Sequence, residues 1–487
     1  MEKNENLAEN LLEFIKKSPS CFHAVKNISE ILRKNGFSEL LESEKWNLEK
    51  GKKYFVTRNL SSVIAFAVPN YDEKTENSPF MICASHSDSP SFKIKENPEI
   101  KSGGCVVLNV EKYGGMLIAP WLDRPLSVAG RVVAKSGRGL KQILVDIDKN
   151  LLMIPNLAIH MDRDANNGHK FDVQSEIRPV LSLDENTDLM KIVAENAKVD
   201  EKDILSADLF LYNRSEPCVW GAENEFISSS KLDDLECAFS TLQGFLDSEN
   251  LDSANCDSPN LGSMKPNPAD CDSNSMNCDS GKIGSENEKS ENGGKSDVSS
   301  DSEKFAKSVK VYCVFDNEEV GSQTRQGAAS TFLSDTLSRI NFALGSDDED
   351  LKIRLSKSFM VSADNAHALH PNFVSVADPV NRPKINGGVV IKFNAAQKYT
   401  SDSVSAGFFK SVCAQAGVPF QVFTNNSNVA GGSTLGNISQ TQVSVPCVDI
   451  GLAQWAMHSP YETAGKNDVD FMARAIKQFY QSEFSVI

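Results

Sequence analysis

The stretch FMICASHSDSP, residues 80–90, is an apolar run that leads directly into His86 and Asp88. The same transition recurs in VYCVFDNEE, residues 311–319, and in FMVSADNAH, residues 359–367. Short apolar runs of this kind are typical of buried strands. In open α/β sheets the carboxyl ends of the strands form the ligand crevice. We therefore expect these three strand ends to bring a histidine and several carboxylates together.

Strand-like runs alternate along the chain with segments of helical periodicity. A fourth apolar run, CVDIG at residues 447–451, leads on to His458. Other strand-like runs occupy residues 62–68, 389–394 and 420–424. Helix-like segments occupy residues 235–246, 328–344, 404–416 and 469–484, and two amphipathic helices fit within residues 7–41. The alternation predicts an α/β fold in which a mixed sheet is flanked by helices.

Residues 93–230 have a different pattern, with β-prone pieces, glycine turns and few long helical segments. We interpret them as a β-rich domain inserted into a catalytic domain of residues 1–92 and 231–487. Within the second part, residues 248–303 contain 13 serines, no aromatic residue and only four Leu, Ile or Val. Such a composition buries too little apolar surface to offset the entropy of ordering. This segment is therefore predicted to be a disordered acidic insert.

The charge and hydropathy of the chain exclude several classes of partner. The formal net charge is −16, half of it in the insert, which argues against binding nucleic acid. No window approaches the roughly 18 consecutive apolar residues that a membrane span requires. The start MEKNEN lacks a basic segment followed by an apolar one, and the 11 cysteines form no CxxC pair, so we expect a cytoplasmic protein with reduced cysteines.

The polar residues at the strand ends favour a metal site. Taken alone, His86 is also explained by a loop hydrogen bond, and the pair at 318–319 by a helix N-terminus. Adjacent carboxylates raise one another's proton affinity unless a cation holds them. Histidines and carboxylates without thiolates suit zinc, with manganese or cobalt as alternatives. Serine-hydrolase, HExxH, phosphate-loop and dinucleotide motifs are absent from the sequence.

Several separated motifs carry a family resemblance. The sequence resembles the aspartyl aminopeptidases, a family of co-catalytic di-zinc metallopeptidases with a di-zinc exopeptidase fold. The matching elements are ASHSDSP at 84–90, WLDRPL at 121–126, IPNLAIH at 154–160, LDDL at 232–235, DNEEVGS at 316–322, SADNAHA at 362–368 and MHS at 457–459. They cover residues 84 to 459 in unbroken order.

The resemblance implies a ligand set for two divalent metal ions, zinc being expected. Asp233 would bridge the two ions. His86 and Asp364 would complete one site, and Glu319 and His458 would complete the other. The pattern of strand ends had already indicated all of these residues except Asp233.

The resemblance also implies roles in catalysis. Glu318 would be the general base that takes a proton from the attacking water and passes it to the leaving amine. Asp88 would fix the orientation of His86 without binding a metal ion itself. A free substrate α-amine bound at the metal centre would restrict cleavage to the first residue of a peptide.

Three further residues are implied to face the substrate. His160 would reach into the active site of a neighbouring subunit, while His367 and Lys392 would line the pocket. A lysine in the pocket explains a preference for N-terminal Asp or Glu, whereas Lys392 could instead be an edge-strand lysine. Asp234 stands where the family usually has Asn, and its charge either tightens metal binding or faces solvent.

We therefore expect a metallo-aminopeptidase that removes N-terminal Asp or Glu from peptides. Through the inserted domain it is expected to assemble into a homododecamer, as family members do. The alternatives are an aminopeptidase of broad or neutral specificity, an amidohydrolase acting on acylated amino acids, and a catalytically inactive scaffold of the same fold.

Overall fold

The computed structural model describes residues 7–70, 78–254 and 308–485. Elements are numbered in chain order. The helices are α1 (Leu7–Lys16), α2 (Cys21–Lys34), α3 (Leu189–Ala197), α4 (Leu232–Ala254), α5 (Phe332–Ala343), α6 (Asp348–Ser356), α7 (Ser403–Ala416), α8 (Leu435–Ser439) and α9 (Asp468–Gln481). Residues 248–254, at the start of the expected insert, continue α4, and residues 255–303 lie outside the described residues. Within the described residues, no helix is long and apolar enough to cross a membrane.

A mixed sheet of nine described strands forms the centre of the fold. Across the sheet the strands are β1 (Ser38–Leu40), β2 (Lys53–Arg58), β3 (Ser62–Ala67), β13 (Val309–Phe315), β4 (Phe80–His86), β14 (Phe359–Ala363), β18 (Cys447–Gly451), β16 (Val389–Phe393) and β17 (Phe420–Thr424). Strands β13, β4, β14 and β18 are parallel to one another. Their carboxyl ends therefore open on the same edge of the sheet, as predicted.

Helices cover both faces of this sheet, which explains the continuous apolar runs in its strands. Successive side chains of a strand point to opposite faces. Tyr312 and Val314 of β13 thus pack with α1, α2, α4, α7 and α9, whereas Val311 and Cys313 pack with α5 and α8. The predicted α/β fold with a helix-flanked mixed sheet is confirmed.

A six-stranded sheet of the described residues has its own apolar core. Its strands, in spatial order, are β8 (Gly139–Asp146), β7 (Leu126–Ser136), β10 (Ile204–Asn213), β5 (Ser91–Ser102), β6 (Cys105–Tyr113) and β9 (Val180–Ser182). Trp121, Leu189 and Val193 are buried in this core. The domain boundaries at 92/93 and 230/231 stay a prediction.

A third sheet lies beside the edge where the parallel strands end. Its described strands, in order, are β11 (Cys218–Trp220), β12 (Phe226–Ser229), β20 (Glu462–Gly465), β19 (Ala453–Trp455) and β15 (Ala366–His367). Strand β12 ends just before Asp233, and β19 ends just before His458. This small sheet therefore brings distant segments of the chain to the crevice.

Asp468, the first residue of α9, makes stability depend on pH. Its carboxylate accepts the N–H groups of Asn386 at 2.7 Å and Gly388 at 2.9 Å, yet burial raises its pKa to about 7. A carboxyl with a higher pKa in the folded state binds its proton more tightly when folded. Its contribution is therefore present at low pH and is lost as the pH rises from about 4 through about 7.

We expect the unfolding free energy of the metal-free protein to fall as the pH rises from about 4 to about 7. One such group contributes a slope of up to about 1.4 kcal/mol per pH unit. Asp468→Asn, which cannot titrate, should flatten this dependence in urea unfolding. An unchanged slope in the variant would contradict the assignment.

Candidate metal centre

His86 is the last residue of β4 and is fully enclosed. Its Nδ1 lies 3.0 Å from the carbonyl oxygen of Asp88, which fixes the ring. Its Nε2 points the other way and lies 3.6 Å from Oδ1 of Asp233. The second nitrogen of a metal-ligating histidine is usually held in this way. The ring is thus oriented with Nε2 directed into the crevice.

Asp233, at the start of α4, joins the two halves of the site. Its Oδ1 faces His86, and its Oδ2 lies 3.3 Å from Nε2 of His458. Burial opposes ionisation, but the neighbouring His458 and His86 rings lower the pKa of Asp233 below its usual range. A single ionised carboxylate therefore spans the space between two histidines.

The remaining carboxylates complete two groups that share Asp233. His86, Asp233 and Asp364 lie together on one side, with Asp234 beside them, and Asp233, Glu319 and His458 lie together on the other. Within each group the potential ligand atoms lie within 4.8 Å of one another. The structure thus brings together all five residues that the sequence indicated as metal ligands.

The chemistry of these groups fits a pair of divalent cations. Asp233 Oδ1 and Glu319 Oε1 are buried and have no hydrogen-bond partner in the described part of the chain. An unpartnered buried carboxylate oxygen is costly unless a cation binds it. Burial, together with the nearby Asp233 carboxylate, raises the pKa of Glu319 well above its usual range. A bound cation would remove both penalties.

Glu318 lies in the turn after β13, close to both groups. One of its carboxylate oxygens, together with atoms of His86 and Glu319, forms a third set within 4.8 Å. Burial, opposed by His86 and supported by the Asp364 carboxylate, raises the pKa of Glu318 to about 8. The position of Glu318 beside both groups suits it to accept a proton from a water molecule held there and to return that proton.

Asp88 holds this turn in place. Its carboxylate accepts the backbone N–H groups of Glu318 at 3.1 Å and Glu319 at 3.2 Å, and the hydroxyl of Tyr113 at 2.7 Å. Its own carbonyl oxygen contacts His86. Asp88 is therefore positioned to orient three residues of the site, which is broader than the single contact with His86 that the sequence suggested.

Glu462 is a buried residue of the site that the sequence did not indicate. Its two carboxylate oxygens accept the backbone N–H groups of Asp233 at 3.0 Å and His458 at 2.7 Å. It thereby couples the start of α4 to the turn that carries His458. Its position four residues after His458 was a weak indication of this role. Tyr113, which donates to Asp88, is a second residue of the site that no sequence pattern indicated.

The three residues expected to face the substrate occupy different environments. Lys392 is buried on β16, which pairs with strands on both sides, so the edge-strand alternative is wrong. Its Nζ donates to the carbonyl oxygen of Asp364 at 2.7 Å and lies 3.8 Å from Asp364 Oδ2. His367 is exposed at the end of β15. His160 lies on an exposed loop and, within the described part of the chain, is not one of the clustered residues.

A carboxylate shared by two histidine-containing ligand groups, at the carboxyl edge of an α/β sheet, is typical of hydrolases with a co-catalytic metal pair. The family model for peptidase M18, described as aminopeptidase I zinc metalloprotease, matches residues 14–261 and 295–480. The chain is 42% identical to a probable M18 family aminopeptidase 2 of Clostridium novyi, over 99% of this chain and 100% of that protein.

Other relatives agree with this match. A probable M18 family aminopeptidase 2 of Ectopseudomonas mendocina is 34% identical over 98% of this chain and 99% of that protein. Ape4, solved in complex with Nbr1, has a TM-score of 0.84 at 32% identity, covering 98% of this chain and 86% of that chain. An M18 aminopeptidase of Thermotoga maritima shares the fold, with a TM-score of 0.76 at 23% identity over 99% of this chain and 97% of that one.

The chain belongs to the peptidase M18 family and is a metallo-aminopeptidase. The resemblance drawn from the separated motifs is confirmed. Residues 262–294, which separate the two matched segments, fall inside the expected acidic insert. This gap is narrower than the segment 248–303, which is predicted from its composition to be a disordered insert.

Proposed function

We propose that this aminopeptidase removes N-terminal Asp or Glu from peptides and uses two zinc ions held by His86, Asp233, Asp364, Glu319 and His458. The observation that carries the proposal is the position of Asp233, whose two oxygens face different histidines. Two imidazoles with carboxylates suit zinc, while manganese or cobalt would accept the same ligands. When bound, the cation pair would acidify a water molecule and polarise the scissile carbonyl.

Glu318 would move the proton during the reaction. The backbone of the 318–319 turn is fixed by Asp88, so the Glu318 carboxylate faces the crevice in a defined position. It would accept a proton from the attacking water at a carboxylate oxygen. It would then return this proton to the amine that leaves, which lets one residue serve as both base and acid.

The proposed preference for Asp or Glu depends on Lys392. Burial works against the charge of this lysine, but the Asp364 carboxylate raises its pKa above the usual range, so the ammonium stays protonated. A positive charge next to Asp364 would favour the binding of substrates with an acidic N-terminal side chain. The contact between Nζ and Asp364 also allows a second role, in which Lys392 supports a metal ligand and the enzyme has broad or neutral specificity.

Lys392→Met separates these two roles. If Lys392 recognises the substrate, kcat/KM for Asp- and Glu-anilides should fall by about 10- to 100-fold, the loss expected when a hydrogen bond to a charged group is removed. Activity on Leu-anilide should then change little. If both classes of substrate lose activity together, Lys392 acts through Asp364 and the acidic preference must be abandoned. Wild-type enzyme that prefers Leu-anilide would reject the preference directly.

We also propose that the chain forms a homo-oligomer, with the dodecamer as the expected state. Leu157, Ile159 and Met161, which flank His160, are exposed apolar side chains. Contiguous exposed apolar residues are typical of protein interfaces. Mature Ape1 of Saccharomyces cerevisiae, which shares this fold at 23% identity, was solved as a dodecamer. A cytoplasmic location stays a prediction.

A mixed-subunit experiment tests the oligomer and the role of His160 together. His160→Ala and Glu318→Gln should each be nearly inactive alone. Co-expressed, they should regain activity, because the Glu318→Gln chain supplies an intact His160 to a neighbour with an intact Glu318. Sedimentation should show assemblies at micromolar concentration. A fully active monomer, or no recovery in the mixed assemblies, would refute the shared site.

A further inference from the structure

The WLDRPL motif, residues 121–126, contributes no residue to the proposed metal centre or substrate pocket. Trp121 and Leu122 are buried in the core of the six-stranded sheet, so the start of the motif is fixed. Asp123 follows them with a φ of 59°, a left-handed conformation that aspartate tolerates better than most residues. Its side chain is exposed. The role of Asp123 therefore depends on the contacts that it makes outside this core.

Asp123 contacts the segment that leads to His160 at three points. Its backbone N–H donates to the carbonyl oxygen of Ile154 at 2.9 Å. Its Oδ1 accepts the backbone N–H of Asn156 at 2.9 Å, and its Oδ2 accepts the side-chain Nδ2 of the same residue at 2.8 Å. These two hydrogen bonds hold the pKa of Asp123 below its usual range, so the carboxylate is ionised at neutral pH. Both oxygens of one carboxylate are thus used to fix Asn156.

The loop that follows, residues 157–161, has little apolar packing of its own. The side chains at positions 157, 159 and 161 are large, apolar and exposed. Met161 donates its backbone N–H to the carbonyl oxygen of Ala158 at 2.8 Å, which closes a turn that contains His160. A loop that buries few apolar groups opens easily unless polar contacts fix the segment that leads into it. The contacts of Asp123 do so.

We infer that Asp123 is a positioning residue, which sets the direction of the loop that presents His160 to the active site of a neighbouring subunit. This inference rests on the proposed shared site. A loop that is fixed before the subunits meet loses less freedom on entering the neighbour's crevice, and its histidine is placed more accurately. Asp123 therefore acts on the active site of the neighbour and not on that of its own subunit.

Asn156→Asp and a compensating change test the contact. In the single variant two carboxylates face each other, so the hydrogen bond to Oδ2 is lost and the like charges repel. Adding Asp123→Asn removes the repulsion and lets the amide at position 123 donate to the carboxylate at position 156. Asparagine also tolerates the left-handed backbone at position 123. The double variant should therefore regain the wild-type geometry.

The mixed-subunit experiment shows in which chain the contact is needed. In the parent pair, the Glu318→Gln chain supplies His160 and the His160→Ala chain supplies Glu318. Asn156→Asp in the chain that supplies His160 should lower the recovered kcat/KM at least about tenfold, because a small displacement of a positioned group can cost about 10²-fold. The same change in the other chain should leave the recovery unchanged. Asp123→Asn, added to the first chain, should restore it.

An equivalent contact in the loop between β9 and α3 provides a matched control. Asp184 Oδ1 accepts the backbone N–H of Asn186 at 3.0 Å and its Nδ2 at 3.2 Å. This loop carries none of the proposed active-site residues. Asn186→Asp should therefore leave the recovery unchanged in either chain. A loss as large as that from Asn156→Asp would show a general effect of facing carboxylates and would overturn the inference.

The outcomes separate this inference from the proposal on which it rests. Recovery by the parent pair that Asn156→Asp does not change would overturn the inference alone. Equal loss in both placements, or a loss that Asp123→Asn does not restore, would also overturn it. Sedimentation should show assemblies of the parent size, and variants that fall apart would assign Asp123 to the interface instead. No recovery in the parent pair would refute the shared site and the inference together.

Discussion

Glu318→Gln should lower kcat by about 10²- to 10⁴-fold, the usual contribution of a positioned proton-transfer group. Glutamine has the shape of glutamate but cannot take a proton at neutral pH. The backbone N–H of residue 318, which donates to Asp88, is unaffected by the substitution. The turn should therefore keep its conformation, and the loss should come from proton transfer.

The measurement pairs steady-state kinetics with zinc content. We expect KM to change little and two zinc equivalents to remain, because the proposed ligands are untouched. Val320→Ala, an exposed neighbour on the same turn, should keep near wild-type activity and serves as the control. A Glu318→Gln enzyme with wild-type kcat would remove Glu318 from its assigned role, and an enzyme that had lost its zinc would identify it as a ligand instead.

The central sheet was predictable because its parallel strands are buried on both faces. The apolar run at 80–84 became β4, which continues to His86, and the run at 311–315 became β13. The helices that cover the faces were also predictable, because their apolar residues recur at helical spacing. By contrast, α8 has five residues, too few for a helical period to be visible. Its conformation depends on the packing of Leu435, which is buried in the core that lies between the sheet and α5.

The site was only partly predictable, because its residues come from distant segments. His86, Glu318 and Asp364 follow apolar strands directly, so local pattern was sufficient to indicate them. Asp233 follows no long apolar run, and an acidic pair before a helix is explained equally well by the helix dipole. Only the resemblance to a family suggested its role. The role of Glu462 depends on two hydrogen bonds from backbone groups of other segments, and no local sequence pattern indicates such contacts.

Asp233→Asn should weaken the proposed paired metal centre. Each of the two carboxylate oxygens faces a different ligand group, and asparagine retains only one of them, because its amide nitrogen is a poor ligand. One zinc equivalent should weaken by at least about 100-fold, since even residues that merely support a ligand cost 10- to 100-fold when changed. A bound cation pair would stabilise the transition state by several kcal/mol, and about 1.4 kcal/mol is a factor of ten in rate. Activity should therefore fall by about 10³-fold.

The response to added zinc distinguishes this variant from Glu318→Gln, although both lose most of their activity. Excess Zn²⁺ should partly restore Asp233→Asn, because its defect is occupancy, whereas it should leave Glu318→Gln inactive, because its defect is proton transfer. Zinc titrations followed by activity and by metal content would show both results. If Asp233→Asn retained two tightly bound equivalents, the carboxylate could not be the bridge, and Asp234 would become the candidate for that position.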